Sequence, residues 1–283
     1  MKHVLVVFNV SAGRKKALKF KKPVIKFLLK NSDFFKVISA PELKTVDISG
    51  FDTIVVAGGD GTINSVLPLI VNTDVKLGVI PVGTADLLAS KFEITQKNAL
   101  EVIKNGKTTK IDSCTLNGKN FVLRAGLGFD DDIIRKTPQS LKNRFGYFAY
   151  FVAGILFALR LKKRRYAITT DEENFFEDAS CVIVANSANM YKNTVSVASN
   201  SDPTDGLFDI FVLKTANPII FFFEFLKIIF NIKQTGRFAV FSKSKSVKIE
   251  GNFFPLHVDG ETQKIRENLD FEILPRSINI FTP

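Results

Sequence analysis

The sequence predicts an α/β + β architecture, a doubly wound α/β domain followed by a β-sandwich-like domain. In the first third, short apolar runs each end in a turn and lead into a helical stretch, the pattern of a parallel sheet wound with helices. Beyond about Asp112 the texture changes to short β-rich runs spaced by Gly, Asn, Asp and Pro, the pattern of a sandwich. A chain of 283 residues can bury two modest cores, and 46% hydrophobic against 24% charged residues is a globular balance.

His3–Phe8 reads as a buried strand and Ser11-Ala12-Gly13 as the turn after it. Arg14–Leu29 has helical periodicity that Pro23 must break or kink. Thr53–Ala57 is a second strand, followed by Gly58-Gly59-Asp60-Gly61 and a helix over Thr62–Val71 that Pro68 disturbs. Lys76–Ile80 is a third strand, ended by Pro81 and a Gly83-Thr84 turn. Further strands are expected at Asn120–Arg124, Arg165–Thr170, Ser180–Ala185, Leu207–Leu213, Ser246–Glu250 and Leu269–Leu274. Phe145–Leu159 and Pro218–Ile232 are apolar and read as helices, each shorter than the roughly 20 residues that span a bilayer. The N-terminus carries no signal-peptide pattern, and Cys114 and Cys181 offer neither zinc spacing nor a disulfide framework, so a cytoplasmic protein is expected.

The net charge of +11 suits nucleic acid, an anionic membrane or polyphosphate substrates. No nucleic-acid reading motif accompanies it, so nucleic acid is not an expected partner. Arg160-Leu161-Lys162-Lys163-Arg164-Arg165 follows one apolar segment, and Arg14–Lys30 holds eight cations without an acid. Such clusters suit peripheral docking on anionic lipid, at about 1 kcal/mol per basic residue, although a solvated basic helix face is the ordinary alternative. In the second apolar segment Asn217, Glu224, Lys227, Asn231 and Gln234 fall within one-third of a helical wheel, so that helix is buried or lies in a membrane interface.

Gly58-Gly59-Asp60-Gly61-Thr62-Ile63-Asn64 is the most informative stretch. Glycines after a buried strand let the backbone approach phosphate oxygens, and the following helix offers its N–H groups and positive dipole end. Asp60 can hold a phosphate-bound magnesium and the Thr62 hydroxyl can donate to phosphate. Gly83 and Thr84 form a second such turn, and Asn9 and Gly13 a third; turns at successive strand ends of one sheet would face one crevice. Neither a Walker A motif nor a strand followed by G-x-G-x-x-G is present.

Gly58–Asn64 resembles the GGDGT signature of diacylglycerol kinase catalytic domains, sphingosine kinases, NAD kinases and related phosphofructokinases. Asn9–Gly13 resembles N-P-x-[SA]-G with Val10 in place of Pro, and Pro81–Ala89 resembles P-x-G-T-x-N-D-[LF]-A. Ala125–Asp130 resembles A-G-x-G-F-D, Asp205–Asp209 D-G-x-x-D, and Asp259-Gly260-Glu261 D-G-E. These matches, in the family's order and over nearly the whole chain, make it similar to the lipid-kinase branch. The chain departs from the pattern at Ser65 for Glu, at Asp86 and Leu87 for Asn and Asp, and at Ser90 for Arg. The resemblance implies a nucleotide domain over 1–112, rejoined by 276–283, and a lipid-substrate domain over 113–275 with the site between them. It implies ATP and Mg as cofactors, a lipid hydroxyl (of diacylglycerol, phosphatidylglycerol or a sphingoid-like acceptor) as the target, and a structural magnesium at Asp202, Asp205 and the Leu207 carbonyl near Asp209. A homodimer is kept open. An NAD kinase is the alternative enzyme, though no Asn-Glu pair of the kind that family carries occurs here. A catalytically inactive lipid- or nucleotide-binding regulator is the non-enzymatic alternative.

Phosphoryl transfer needs positioning, charge neutralisation and a base for the attacking hydroxyl. His3 lies near the terminus, and His257 reads foremost as a satisfied sheet histidine. Asp259 and Glu261 are two apart and would share one face of an extended segment, where paired acids can raise one pKa. The resemblance makes the D-G-E acid the proton acceptor, assigned to Glu261 with Asp259 as its alternative, and Asp60 joins the catalytic set.

Overall fold

In a computed structural model the chain divides into two compact units, Met1–Ser113 with Pro275–Pro283, and Cys114–Leu274. The structure describes residues 1–9, 16–136, 158–159, 161–191, 195–196, 201–229, 232, 236–251, 256–265 and 267–283. The expected turn over Val10, Ser11, Ala12 and Gly13, most of the Phe145–Leu159 segment, and Arg14, Arg160, Asn231 and Gln234 lie outside the described residues.

The first unit runs β1 (His3–Phe8), α1 (Lys16–Asn31), β2 (Phe34–Ser39), a 3-10 turn (Ala40–Thr45), β3 (Thr53–Gly58), α2 (Asp60–Ile70), β4 (Lys76–Pro81), α3 (Leu87–Lys91), α4 (Ala99–Asn105) and the start of β5 (Thr108–Leu116). The strands β2, β1, β3 and β4 lie side by side, all parallel. Val4–Val7 and Ile54–Ala57 are buried without alternation, as a parallel sheet covered on both faces requires. Strand β2 is the sheet's edge and only partly buried, and it was not among the expected strands although Phe34, Phe35, Val37 and Ile38 are strand formers. Pro23 sits inside α1 and does not end it. Helix α2 begins at Asp60, capped by Gly59, two residues before the expected start, so Asp60 and Gly61 belong to its first turn. The segment from Pro275 packs in this unit: Asn72 N–H donates to the Ser277 carbonyl (2.8 Å), and Thr282 N–H to the Lys107 carbonyl (3.1 Å).

The second unit holds β6 (Lys119–Phe121), β7 (Arg124–Gly128), α5 (Phe129–Lys136), β8 (Arg164–Thr170), β9 (Asn174–Ala179), β10 (Cys181–Ala185), β11 (Asn189–Tyr191) and β12 (Val195–Ser196). It continues with β13 (Phe208–Leu213), α6 (Pro218–Ile229), β14 (Ala239–Ser244), β15 (Ser246–Glu250), β16 (Leu256–Val258), β17 (Glu261–Gln263) and β18 (Leu269–Phe281). One antiparallel sheet has the order β14-β13-β10-β7-β16-β17. The other joins β9, β8, β15 and the first half of β18. Val182 and Ile210 of the first sheet share a core with Ile168 and Val247 of the second, as in a sandwich. Strand β18 outruns the expected Leu269–Leu274 because its last residues pair with β4, Asn279 with Lys76 and Ile280 with Leu77.

Three buried rings centre this core. Phe121 stacks on Phe208 at 6.4 Å, and Phe271 meets both edge-on at 6.3 and 6.4 Å. Helix α6 carries the opposite polarity to that expected of a solvated helix: Glu224 is buried beside Phe221 and pairs with Lys227 (2.7 Å), while Ile219, Phe222 and Phe223 are exposed. Among the described residues no helix is long and apolar enough to cross a membrane. Phe121→Ala is expected to cost about 3–5 kcal/mol, read as a lower denaturant midpoint at unchanged slope.

Candidate functional site

In the first unit, the ends of β3 and β4 bring the two glycine turns into backbone contact. A Cβ on Gly83 would sit 2.6 Å from the Gly59 Cα, a separation no side chain tolerates. One on Gly58 would sit 2.5 Å from Thr62 Oγ1. The register Gly58↔Pro81 sets this approach, and the Val82 N–H donates to the Gly58 carbonyl at 3.1 Å. Asn9, at the end of β1, donates from Nδ2 to Thr62 Oγ1 at 2.9 Å, so three strand ends meet here. Asp60 turns toward α3: its carboxylate accepts the N–H groups of Leu87 (3.0 Å) and Leu88 (3.2 Å). Asp86, held in the left-handed region at φ 50, accepts the Gly83 N–H at 2.9 Å.

These contacts refine the expected phosphate set. Ile63 is a core residue, and its N–H already bonds the Gly59 carbonyl, as does that of Thr62. Thr62 is buried with its hydroxyl taken up by Asn9. The exposed positions are Gly61 and Thr84. Asn64 keeps a buried Oδ1 without a hydrogen-bond partner among the described residues, an acceptor that a bound ligand or water would satisfy.

In the second unit, Asp259 and Gly260 do not lie on an extended segment. They are the two-residue turn of the β16–β17 hairpin, with φ 47 and 84, so Asp259 and Glu261 do not share a strand face. The reason is chemical as well as steric: the Asp259 carboxylate accepts the N–H groups of Val122, Leu123 and Arg124 at 2.9, 3.0 and 2.8 Å. Glu261 opens β17 and is exposed.

Beneath this hairpin lies a buried charge cluster that the sequence reading did not identify. His257 is fully buried, with Nε2 2.5 Å from Asp130 Oδ2, and Arg124 Nη1 is 3.4 Å from the same oxygen. The Gly260 N–H lies 3.4 Å from His257 Nδ1, on the opposite side of the ring from Asp130. Gly126 makes room, since a Cβ there would collide with both Asp130 and His257. Burial pushes the Asp130 carboxyl up, but Arg124 and His257 outweigh it and hold the pKa down to about 2. The available signal was Gly126 within Ala125–Asp130, a small residue that a nearby pair of side chains requires.

The magnesium implied at Asp202, Asp205 and Leu207 does not fit the residues found there. Asp202 Oδ1 accepts the Thr204 N–H (3.0 Å) and hydroxyl (2.8 Å), and Asp205 Oδ1 accepts the Leu207 N–H (3.0 Å). The Lys243 ammonium occupies the cation's place, 2.5 Å from Asp205 Oδ2 and 3.5 Å from Asp209 Oδ1. Burial lowers the Lys243 pKa, and Asp205 and Asp209 more than reverse this, so the ammonium stays charged. No group of three or more His, Cys, Asp or Glu suited to a metal occurs among the described residues.

Two family models match this chain: the diacylglycerol kinase catalytic domain over residues 3–116, and the YegS C-terminal NAD kinase beta sandwich-like domain over residues 125–282. The chain belongs to the diacylglycerol kinase catalytic-domain family. A diacylglycerol kinase of Staphylococcus epidermidis is 29% identical over 83% of this chain and 75% of its own length. That of Bacillus subtilis is 28% identical over 85% and 80%. An uncharacterized Synechocystis protein is 31% identical over 84% of this chain, which spans 56% of that relative's length. Two solved structures from Bacillus anthracis share the fold. One has a TM-score of 0.83 at 20% identity, covering 99% of this chain and 95% of its own. The other, named a diacylglycerol kinase, has a TM-score of 0.74 at 18% identity, covering 99% and 97%.

Two outcomes follow for this family member. Asp130 is held ionised below its ordinary range, so the stability it contributes is complete above about pH 4 and lost as pH falls toward 2. Acid unfolding of Asp130→Asn should lack about 2 kcal/mol of that pH dependence, and the variant should be destabilised at neutral pH because the buried Arg124 loses the Asp130 charge beside it. Millimolar magnesium, without nucleotide, should leave the wild-type melting midpoint unchanged and raise that of Lys243→Met, whose acidic group has lost its internal cation.

Proposed function

We propose that this chain is a lipid kinase that moves the γ-phosphate of MgATP onto a lipid hydroxyl. The observation that carries the reading is the backbone contact between the Gly58–Gly61 and Gly83 turns at neighbouring strand ends, in a chain of this family. Such a turn pair admits phosphate oxygens where no side chain fits, beside the N-terminus of α2. Asn9, Gly58, Gly59, Gly61, Asn64, Gly83 and Thr84 form the cradle, with Thr62 and Ile63 holding its shape. Asp60 braces the start of α3 and meets the magnesium that arrives with the nucleotide.

Glu261 accepts the hydroxyl proton as the lipid oxygen bonds to Pγ and the bond from Pγ to the ADP oxygen breaks. Asp259, its carboxylate committed to three N–H groups, acts by holding the hairpin that presents Glu261. The exposed Ile219, Phe222 and Phe223 of α6 meet the bilayer that supplies the acceptor, and the basic residues at 162–165 add attraction to anionic lipid.

Radiolabelled γ-phosphate should pass from MgATP to diacylglycerol, phosphatidylglycerol or a sphingoid base in mixed micelles. Label found in NAD alone would replace this reading with an NAD kinase, and no label in any acceptor would leave the regulator reading. Asp60→Ala should abolish transfer with the fold intact. Glu261→Gln should lower kcat by about 10²–10⁴ with little change in the KM for ATP, and an unchanged kcat would remove Glu261 as the base.

A further inference from the structure

The second unit contains a basic cavity that phosphoryl transfer does not use. It has a volume of about 520 Å³, within the range of small-ligand pockets. Lys163 and Arg165 at the start of β8, Lys214 after β13 and Arg237 before β14 line it, with Phe176 and Phe238. The acids in the lining are Glu177 and Asp178 on β9, and Glu177 is engaged by Lys214 at 2.9 Å. Among the described residues, Lys163, Arg165 and Arg237 have no carboxylate within ion-pair distance.

Gathering three such cations around one space raises their mutual repulsion, which an anion in the cavity would relieve. The two guanidinium groups are also restrained. Arg165 lies over the Phe176 ring at 5.6 Å and Arg237 over Phe238 at 5.2 Å. Such a contact is worth about 0.5–1 kcal/mol at an exposed site, and it leaves the guanidinium N–H edge for a planar, bidentate acceptor such as phosphate. The two sheets hold the walls in place: the Lys214 N–H donates to the Phe238 carbonyl at 2.7 Å, and Arg165 pairs with Asp178 in the β8–β9 register.

We propose that this cavity binds a phosphate-bearing anion, either the headgroup of an anionic phospholipid or a soluble phosphate ester. The inference deepens the membrane reading above and needs no turnover, so its test is separate from that of phosphoryl transfer. Full-length protein without nucleotide is sedimented with vesicles of phosphatidylglycerol in phosphatidylcholine, and in a second arm titrated calorimetrically with inorganic phosphate. The wild type should bind in at least one arm, and Arg165→Gln/Arg237→Gln should weaken that binding roughly tenfold or more at an unchanged melting midpoint. A control of equal charge loss at exposed positions of the other unit, Lys44→Gln/Lys97→Gln, should bind as the wild type does. Binding to vesicles alone assigns the lipid headgroup, and binding of inorganic phosphate assigns a site open to soluble esters. The proposal is overturned if the wild type binds in neither arm, if the arginine variant binds as tightly as the wild type, or if the control loses as much. Should the double variant fail to melt cooperatively, the exposed Lys163→Gln serves in its place: a several-fold loss supports the site and unchanged binding overturns it.

Discussion

Three consecutive N–H groups on one carboxylate fasten the β16–β17 hairpin to the start of β7. The N–H groups of Val122, Leu123 and Arg124, where the chain passes from β6 to β7, all donate to the Asp259 carboxylate. A buried N–H without an acceptor costs about 1–3 kcal/mol, so the hairpin tip and the start of β7 are held as one piece. Asp259 can reach them because it stands in a left-handed turn, followed by a glycine that adopts the same region. Glu261 begins the next strand, and its position is inherited from that turn.

The same end of the unit handles charge by internal pairing. Asp130 is buried with Arg124 and His257, and Asp209 and Asp205 share Lys243. Burying an ion is costly unless a partner and hydrogen bonds accompany it, and each of these acids has both. Gly126 permits the first cluster by the absence of a Cβ. Polar groups at one end of the sandwich are thereby fixed to within a hydrogen bond.

The first unit builds its glycine turns with backbone. Its glycine turns approach until no side chain fits, because parallel strands in register bring consecutive strand ends level. Asp60 and Asp86 then use their carboxylates on the N–H groups of Leu87, Leu88 and Gly83, tying the second turn and α3 to the first. Carboxylates in this unit shape the two glycine turns, and Gly61 and Thr84 stay exposed beside them.

The family, the α/β-then-sandwich order and the glycine turns after buried strands were legible because each is local: unbroken apolar runs, Gly and Pro punctuation, and helical periodicity lie within a few residues of one another. Strand β9 and helix α5 were not, since their residues are half-exposed or charged and acquire their state from neighbours. The partners of Asp259 lie 135 to 137 residues away, and those of Asp130 and His257 are 127 apart. Nothing in the spacing of D-G-E distinguishes a shared strand face from a hairpin tip. Nor does an acidic run in sequence tell a magnesium from the ammonium of Lys243, which comes from a strand 38 residues on. Sequence alone settled the buried strands β1, β3 and β4 and the turns that follow β3 and β4; tertiary structure decided which charges meet, because hydrogen bonds and ion pairs depend on distances that only the folded chain sets.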